Sequence, residues 1–377
     1  MKIIWFIRIT ATFLIVAFTV TNCKKEEKVP NQDQDQHQDT VATLTDLDNA
    51  IKNKMSEYDF PALSIAIVKD EKLVYVKSYG LSDVESGIVA KNDDLYRIAS
   101  LSKPITATAI LKLVQDGLIT LDQKVFGSNG ILGNVYGIPP AGSKIDLITV
   151  QHLLDMKSGW INSPNDPGFT DIGYTQSKLI NDLVTNRPLK YAPGSTYYYF
   201  GMGYVILGRV IEKITNVTYE NYVKSNILQQ CGITDMKIGG NTLNARYPKE
   251  VKYYSKYPLS EFTPYNMNVT RMDADAGWIA SATDLARFIV RIDRNNSKED
   301  LISTNLLNKF FVFVLTNWYV YGSLPGESGI LCRYNDTFSF ALLTNKDGEP
   351  LAILYDLYAA VVDKIIIISE WPSVDLF

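Results

Sequence analysis

Apolar residues fall into two kinds of spacing along this chain. Leu44, Leu47, Ile51 and Met55 recur every three or four positions, which predicts an amphipathic first helix. Leu63 to Val68 and Leu73 to Tyr79 are β-rich runs separated by the charged turn Asp70-Glu71, which predicts an antiparallel hairpin. From Ser100 to about Ile214 the spacing is mainly helical. Pro104 is tolerated only in a first helical turn, so a helix starts at or just after Ser100, buries Ile105, Ala109, Ile110 and Leu113, and stops near Gly117. Further helices are predicted from Val150, covering His152, and from Tyr204 to Ile214. After a long irregular stretch, Ser281 or Thr283 caps a helix through Ile289, with Asp284 in its first turn. Val312 to Gly322, Gly329 to Tyr334 and Phe338 to Thr344 read as strands, and Glu349 to Ile368 as a closing helix. The order predicts an α+β fold: one antiparallel sheet flanked by helices, with a mainly helical subdomain inserted at about residues 100–265.

The amino-terminal pattern is different. Lys2 and Arg8 precede or flank an apolar run from Ile9 to Val20 that ends at Cys23. A positive start, a short apolar core and a terminal Cys predict a bacterial lipoprotein signal, residues 1–23, with Cys23 as the lipidated residue. The run is shorter than the roughly 20 residues a spanning helix needs. Residues 24–43 are mostly Lys, Glu, Gln, Asp and Pro and read as a flexible tether. Residues 44–377 form the folded domain. The expected location is the cell envelope, with the chain lipid-anchored to a membrane and monomeric.

Composition narrows the chemistry. The 377 residues are 46% hydrophobic and 21% charged, an ordinary globular balance, and the net charge is −4. No basic tract interleaves with aromatics, so a nucleic-acid partner is not expected. The chain has only two His, His37 in the polar tail and His152, so a Ser-His-Asp triad or a His-rich zinc site has almost nothing to work with. Neither Cys231 nor Cys332 has metal-ligand spacing, and both are read as separate buried thiols. No metal or organic cofactor is implied.

The candidate chemistry begins at Ser100-Leu101-Ser102-Lys103. A hydroxyl and an amine three positions apart at a helix start share one face, which puts a base beside a nucleophile. A serine hydroxyl is weak until a neighbour takes its proton, and Lys103 can do this if burial or nearby cations lower its pKa. Ser-x-x-Lys alone is expected about once by chance in a chain of this length.

Six ordered segments add specificity. They are Tyr79-Gly80-Leu81-Ser82-Asp83; Arg97 to Pro104; Ile148 to Leu154; Pro193-Gly194-Ser195 with Tyr199; Gly277 to Ser281 with Asp284-Leu285; and Gly322-Ser323-Leu324-Pro325-Gly326. Together they resemble the serine β-lactamase family in its broad sense: class C β-lactamases, D,D-peptidases and related esterases. The resemblance implies a β-lactamase/transpeptidase-like fold and catalytic roles for Ser100, Lys103 and Tyr199. It also implies an oxyanion and substrate-binding site formed around Ser100, Gly322 and Ser323. His152 is read as structural, after a helix cap.

The chain departs from the family pattern at three places. Tyr199-Phe200-Gly201 keeps the tyrosine of the second motif but has Gly201 in place of its Asn. Val320-Tyr321-Gly322 has Val320 where relatives carry a Lys or His, leaving Arg271 or Arg333 as candidate substitutes. Asp275 stands where close relatives often have His. The implied function is an envelope serine hydrolase that forms an acyl-enzyme on an uncharged ester or amide, a small molecule or peptide, with weak β-lactamase activity at most. The alternative is a non-catalytic binding lipoprotein with a degenerate site.

Overall fold

The computed structural model describes residues 42–170, 172–256, 262–295, 297–309, 318–347 and 351–377. The predicted signal and tether, Cys23 included, and the first part of the predicted Val312–Gly322 strand lie outside the described residues.

The first helix, α1 (Leu44–Tyr58), buries Leu47, Ile51 and Met55, as its spacing predicts. The hairpin follows as β1 (Ala62–Lys69) and β2 (Lys72–Asp83). Its turn residues Asp70 and Glu71 both take left-handed backbone, φ 50° and 58°, the geometry whose twist suits a two-residue hairpin. Short strands β3 (Ile88–Val89) and β4 (Tyr96–Arg97) lead to α2 (Ser102–Gln115). Four helices come next: α3 (Val150–Leu154), α4 (Gln176–Asn186), α5 (Met202–Thr215) and α6 (Tyr219–Val223). The chain continues through β5 (Lys237–Ile238), α7 (Asp273–Ala276), β6 (Trp278–Ala280), α8 (Ala282–Ile289) and α9 (Thr304–Leu307). It closes with β7 (Trp318–Leu324), β8 (Glu327–Arg333), β9 (Phe338–Thr344) and α10 (Leu351–Ile365).

The strands form two sheets rather than the one expected. The large sheet has the order β3-β2-β1-β9-β8-β7, antiparallel at every pairing, with β7 on its edge. The small sheet, β4-β6-β5, was not foreseen because its strands are only two or three residues long and carry no period. Both faces of the large sheet are covered. Ala341 and Leu343 join a core built with α2, α5 and α8. Phe340, on the opposite face by the two-residue alternation, lies 6.0 Å from the Tyr358 ring of α10.

Helix starts follow local hydrogen bonding. Ser281, not Thr283, caps α8: the Asp284 N–H donates to Ser281 Oγ at 3.0 Å, and the Ser281 N–H to Asp284 Oδ2 at 2.9 Å. His152 performs the same reciprocal service for α3, its Nδ1 accepting from the Thr149 N–H at 3.3 Å. The ring is half-buried rather than buried, and burial lowers its pKa. Cys231 and Cys332 are both buried and free, so they do not pair.

Candidate functional site

Ser100 does not sit in the helix itself. It occupies a single tight turn, Ala99–Leu101, that delivers the chain into α2. Ala99, just before it, has φ 43°, a left-handed backbone uncommon for a residue with a side chain. The turn is held from both sides: the Ile98 N–H donates to Trp278 O at 3.1 Å, and the Leu101 N–H to Ile98 O at 2.9 Å. Backbone strain of this kind is tolerated where the surroundings fix it, and it presents the Ser100 hydroxyl at the end of α2.

Lys103, one turn on, points back at Ser100, with Nζ donating to Ser100 Oγ at 3.0 Å. Tyr199, just before α5, closes the group. Its hydroxyl lies 2.6 Å from Ser100 Oγ, and its ring centroid lies 4.9 Å from Lys103 Nζ. Three side chains separated by up to 99 residues thus meet at one oxygen. Of the run Tyr197-Tyr198-Tyr199, it is Tyr199 that contacts Ser100, while Tyr197 is exposed.

Asp275, which the sequence marked only as a departure from the family pattern, is the fourth member of the group. Its Oδ1 lies 2.5 Å from Lys103 Nζ, and both side chains are almost wholly buried. The lysine also donates to the Asp275 carbonyl oxygen at 3.2 Å. Burial alone pulls the Lys103 pKa down, but the Asp275 carboxylate outweighs it, and the net shift is upward. Lys103 is therefore an ammonium, and the condition under which it could serve directly as the base, a lowered pKa, is not met. Burial raises the Tyr199 pKa, with Lys103 opposing, so Tyr199 is a phenol at neutral pH. A further carboxyl, Asp166, lies in the field of this pair. Burial, reinforced by the Asp275 charge, pushes it up to about 6, while the Gly168 N–H at 2.9 Å holds it down.

The elements under the site are locked together. Thr106 of α2 donates to the Ala274 carbonyl of α7 at 2.6 Å. Its hydroxyl is also 2.6 Å from Tyr219 Oη, which in turn accepts from Trp278 Nε1 at 2.8 Å. This buried chain fixes α7, and so Asp275, against the helix that carries Lys103.

Edge strand β7 passes the Ser100 turn at Gly322, whose partner across the ladder is Gly329. A Cβ at Gly322 would lie 2.5 Å from Ile98 O and 3.2 Å from Leu101 Cγ, so only glycine allows this approach. Val320 shares that face of the strand by the two-residue alternation and packs against the main core. Neither candidate substitute for the missing cation reaches this place. Arg271 is buried and donates to the carbonyls of Tyr174, Pro167 and Gly168 at 3.1–3.4 Å, tying down the loop before α4. Arg333 lies opposite Trp318, at the far end of the β7–β8 ladder, and pairs with Asp336 at 2.7 Å. Among the described residues no group of His, Cys, Asp and Glu could hold a metal ion, and no helix is long and apolar enough to cross a membrane.

Comparisons with known proteins agree with this architecture. Protein flp of Staphylococcus aureus is 25% identical over 341 residues, covering 85% of this chain and 64% of its own length. The chain thus spans just under two thirds of the length of this curated relative. The octameric penicillin-binding protein homologue of Pyrococcus abyssi superposes with a TM-score of 0.65 at 25% identity, covering 85% of this chain and 78% of that one. The D-amino acid amidase of Ochrobactrum anthropi SV3 shares the fold, with a TM-score of 0.69 at 20% identity over 85% of this chain and 98% of the amidase. The Beta-lactamase family model runs from residue 47 to residue 324, taking in the serine turn at one end and the glycine strand at the other, and on that match the chain belongs to the Beta-lactamase family.

Proposed function

We propose that this chain is a serine hydrolase of the cell envelope that opens an uncharged ester or amide by acylating Ser100. One observation carries the reading: Ser100 Oγ lies 2.6 Å from a phenol and 3.0 Å from a buried ammonium. A hydroxyl in that company can lose its proton as it attacks, and the ammonium stabilises the charge that develops on its oxygen. The Ser100 and Ser323 backbone N–H groups are the proposed oxyanion hole, with Gly322 setting their spacing. Tyr199 is in reach to hand a proton to the leaving group. The envelope setting rests on the amino-terminal pattern that ends at Cys23.

The test is labelling of the full chain with a fluorescent fluorophosphonate and a fluorescent penicillin, with Ser100→Ala as the blank. The first probe should label the wild type, the label should sediment with membranes in cells, and Ser100→Ala should abolish it. A folded wild type that takes neither probe would instead be the non-catalytic binder that the changes at Gly201 and Val320 suggest.

Val320 bears on the charge of the substrate. Penicillins carry a carboxylate, and a half-buried valine offers it nothing. Charge-assisted hydrogen bonds contribute about 1.5–3 kcal/mol, so Val320→Lys should raise the rate of penicillin labelling about ten- to hundredfold. An unchanged rate would show that substrate charge is not read at this position.

A further inference from the structure

We propose that Asp275 occupies the space Gly201 leaves open and acts as the positioning residue of the site, exchanging a proton with Lys103 as Lys103 exchanges one with Ser100. The proposal rests on the hydrolase reading above, and it concerns two positions at which the chain departs from its family in opposite senses. One has lost a side chain and the other has gained a charge.

The two positions touch. A Cβ built on Gly201 would lie 2.5 Å from Asp275 Oδ2, 2.9 Å from Oδ1 and 3.0 Å from Cγ. The carboxylate is thus pressed against bare backbone, and any side chain at 201 would push it away from Lys103. Each departure explains the other. Without an amide at 201 the buried lysine needs another partner, and the carboxylate fits only because the amide is gone. An unpaired buried ammonium would be costly, which is the physical reason the two changes go together.

The chemistry follows from counting protons. Ser100 is a hydroxyl, Tyr199 a phenol and Lys103 an ammonium, and Asp275 is the carboxylate of the ion pair. A base must accept a proton, and Asp275 is the member of the group with a vacancy. Lys103 passes an Nζ proton to Asp275 Oδ1 and takes the Ser100 proton in its place, while Ser100 Oγ forms its bond to the substrate carbonyl carbon. The ammonium is regenerated beside the new oxyanion. When the tetrahedral species collapses, the carbon–oxygen or carbon–nitrogen bond breaks. The proton then travels back from Asp275 through Lys103, past Tyr199, to the departing alcohol or amine. Water repeats the cycle in the second half-reaction.

Several groups bear on the pair. They are Tyr199 before α5, Tyr204 on α5, whose ring centroid lies 5.9 Å from Lys103 Nζ, Ser100, and Asp166 in the loop before α4. Asp166, pushed up to about 6 in part by the Asp275 charge, adds an inflection that Asp275→Asn moves downward, so wild type and variant are compared above pH 7.

Two measurements on the full chain test the proposal. The first is the second-order rate of fluorophosphonate labelling from pH 5 to 10. Wild type should be nearly level through neutrality. Asp275→Asn should be about a hundredfold slower at pH 7 and should gain on wild type as pH rises, because a lysine without its counterion deprotonates more easily. A purely structural role would lower the rate without changing the slope. The second is thermal unfolding of Gly201→Asn, Asp275→Ala and the double variant, which needs no activity. Gly201→Asn alone should lower the melting temperature, and Asp275→Ala should recover most of that loss. Asp275→Asn with the wild-type rate and profile overturns the proton exchange. An additive cycle overturns the shared space. A wild type that never labels overturns the hydrolase reading and the proton exchange with it, while a coupled cycle would still stand.

Discussion

Gly322→Ala should slow fluorophosphonate labelling of Ser100 on the order of a thousandfold, with the fold retained. The added carbon would lie 2.5 Å from Ile98 O, which is backbone and cannot rotate aside. Ile98 is itself fixed, because its N–H donates to Trp278 O at 3.1 Å in the small sheet. The element free to move is β7, the edge strand, bonded on one side to β8 and on the other to no strand of the sheet. It would retreat from the serine turn and carry the Ser323 N–H with it. Loss of one oxyanion donor typically costs a hundred- to thousandfold in rate, and displacements of about 1 Å in such sites cost about a hundredfold on their own. The main core remains intact, so circular dichroism and melting should stay close to wild type. A well-folded variant that labels within tenfold of wild type would show that the approach of β7 to Ser100 does not matter to acylation.

How far the sequence revealed this site depended on what kind of signal each residue carries. Ser100, Lys103 and Tyr199 stood out because a hydroxyl and an amine three apart, and a tyrosine in a known pattern, are local and ordered signals. The large sheet was legible for the same reason, since Leu63–Val68 and Phe338–Thr344 are apolar runs bounded by turns. The small sheet was hidden because two- and three-residue strands have no periodicity, and the strain at Ala99 because alanine announces no turn. Asp275 was misjudged for a deeper reason. Gly201 and Asp275 each looked like damage to a motif, and only their contact in space shows that one makes room for the other. The same holds for Arg271 and Arg333. As sequence they were cations that nothing placed, and in the fold both are committed elsewhere.

Glu327→Gln should stabilise the protein at pH 8 by about 1–3 kcal/mol, the scale of an unsatisfied buried polar group, relative to its effect at pH 4. Glu327 opens β8 directly after the Pro325-Gly326 turn and is paired in register with Leu324. Its side chain is wholly buried, and among the described residues neither carboxyl oxygen meets a hydrogen-bond partner of good geometry. Burial drives its pKa well above the ordinary carboxyl range. The charge of Arg97 and the Leu324 backbone offset this in part, and Asp347 adds to it. The sign follows from comparing the two states. In the unfolded chain Glu327 ionises near 4.5, whereas in the fold burial moves its ionisation to higher pH. Its contribution is therefore fully present below pH 4.5 and is lost as pH climbs toward the folded pKa. Above pH 4.5 the fold holds this group against the ionisation it undergoes in the unfolded chain, and glutamine removes that cost while keeping the shape. Its unpaired amide returns part of the gain, about 1 kcal/mol. Denaturant unfolding of both proteins at pH 4 and pH 8 measures the difference directly. A stability gap that does not widen with pH would mean that the carboxyl is already ionised in the fold. A gap that widens would identify a neutral acid lodged immediately behind the strand that carries the proposed oxyanion amide, retained at a cost in stability next to the proposed site.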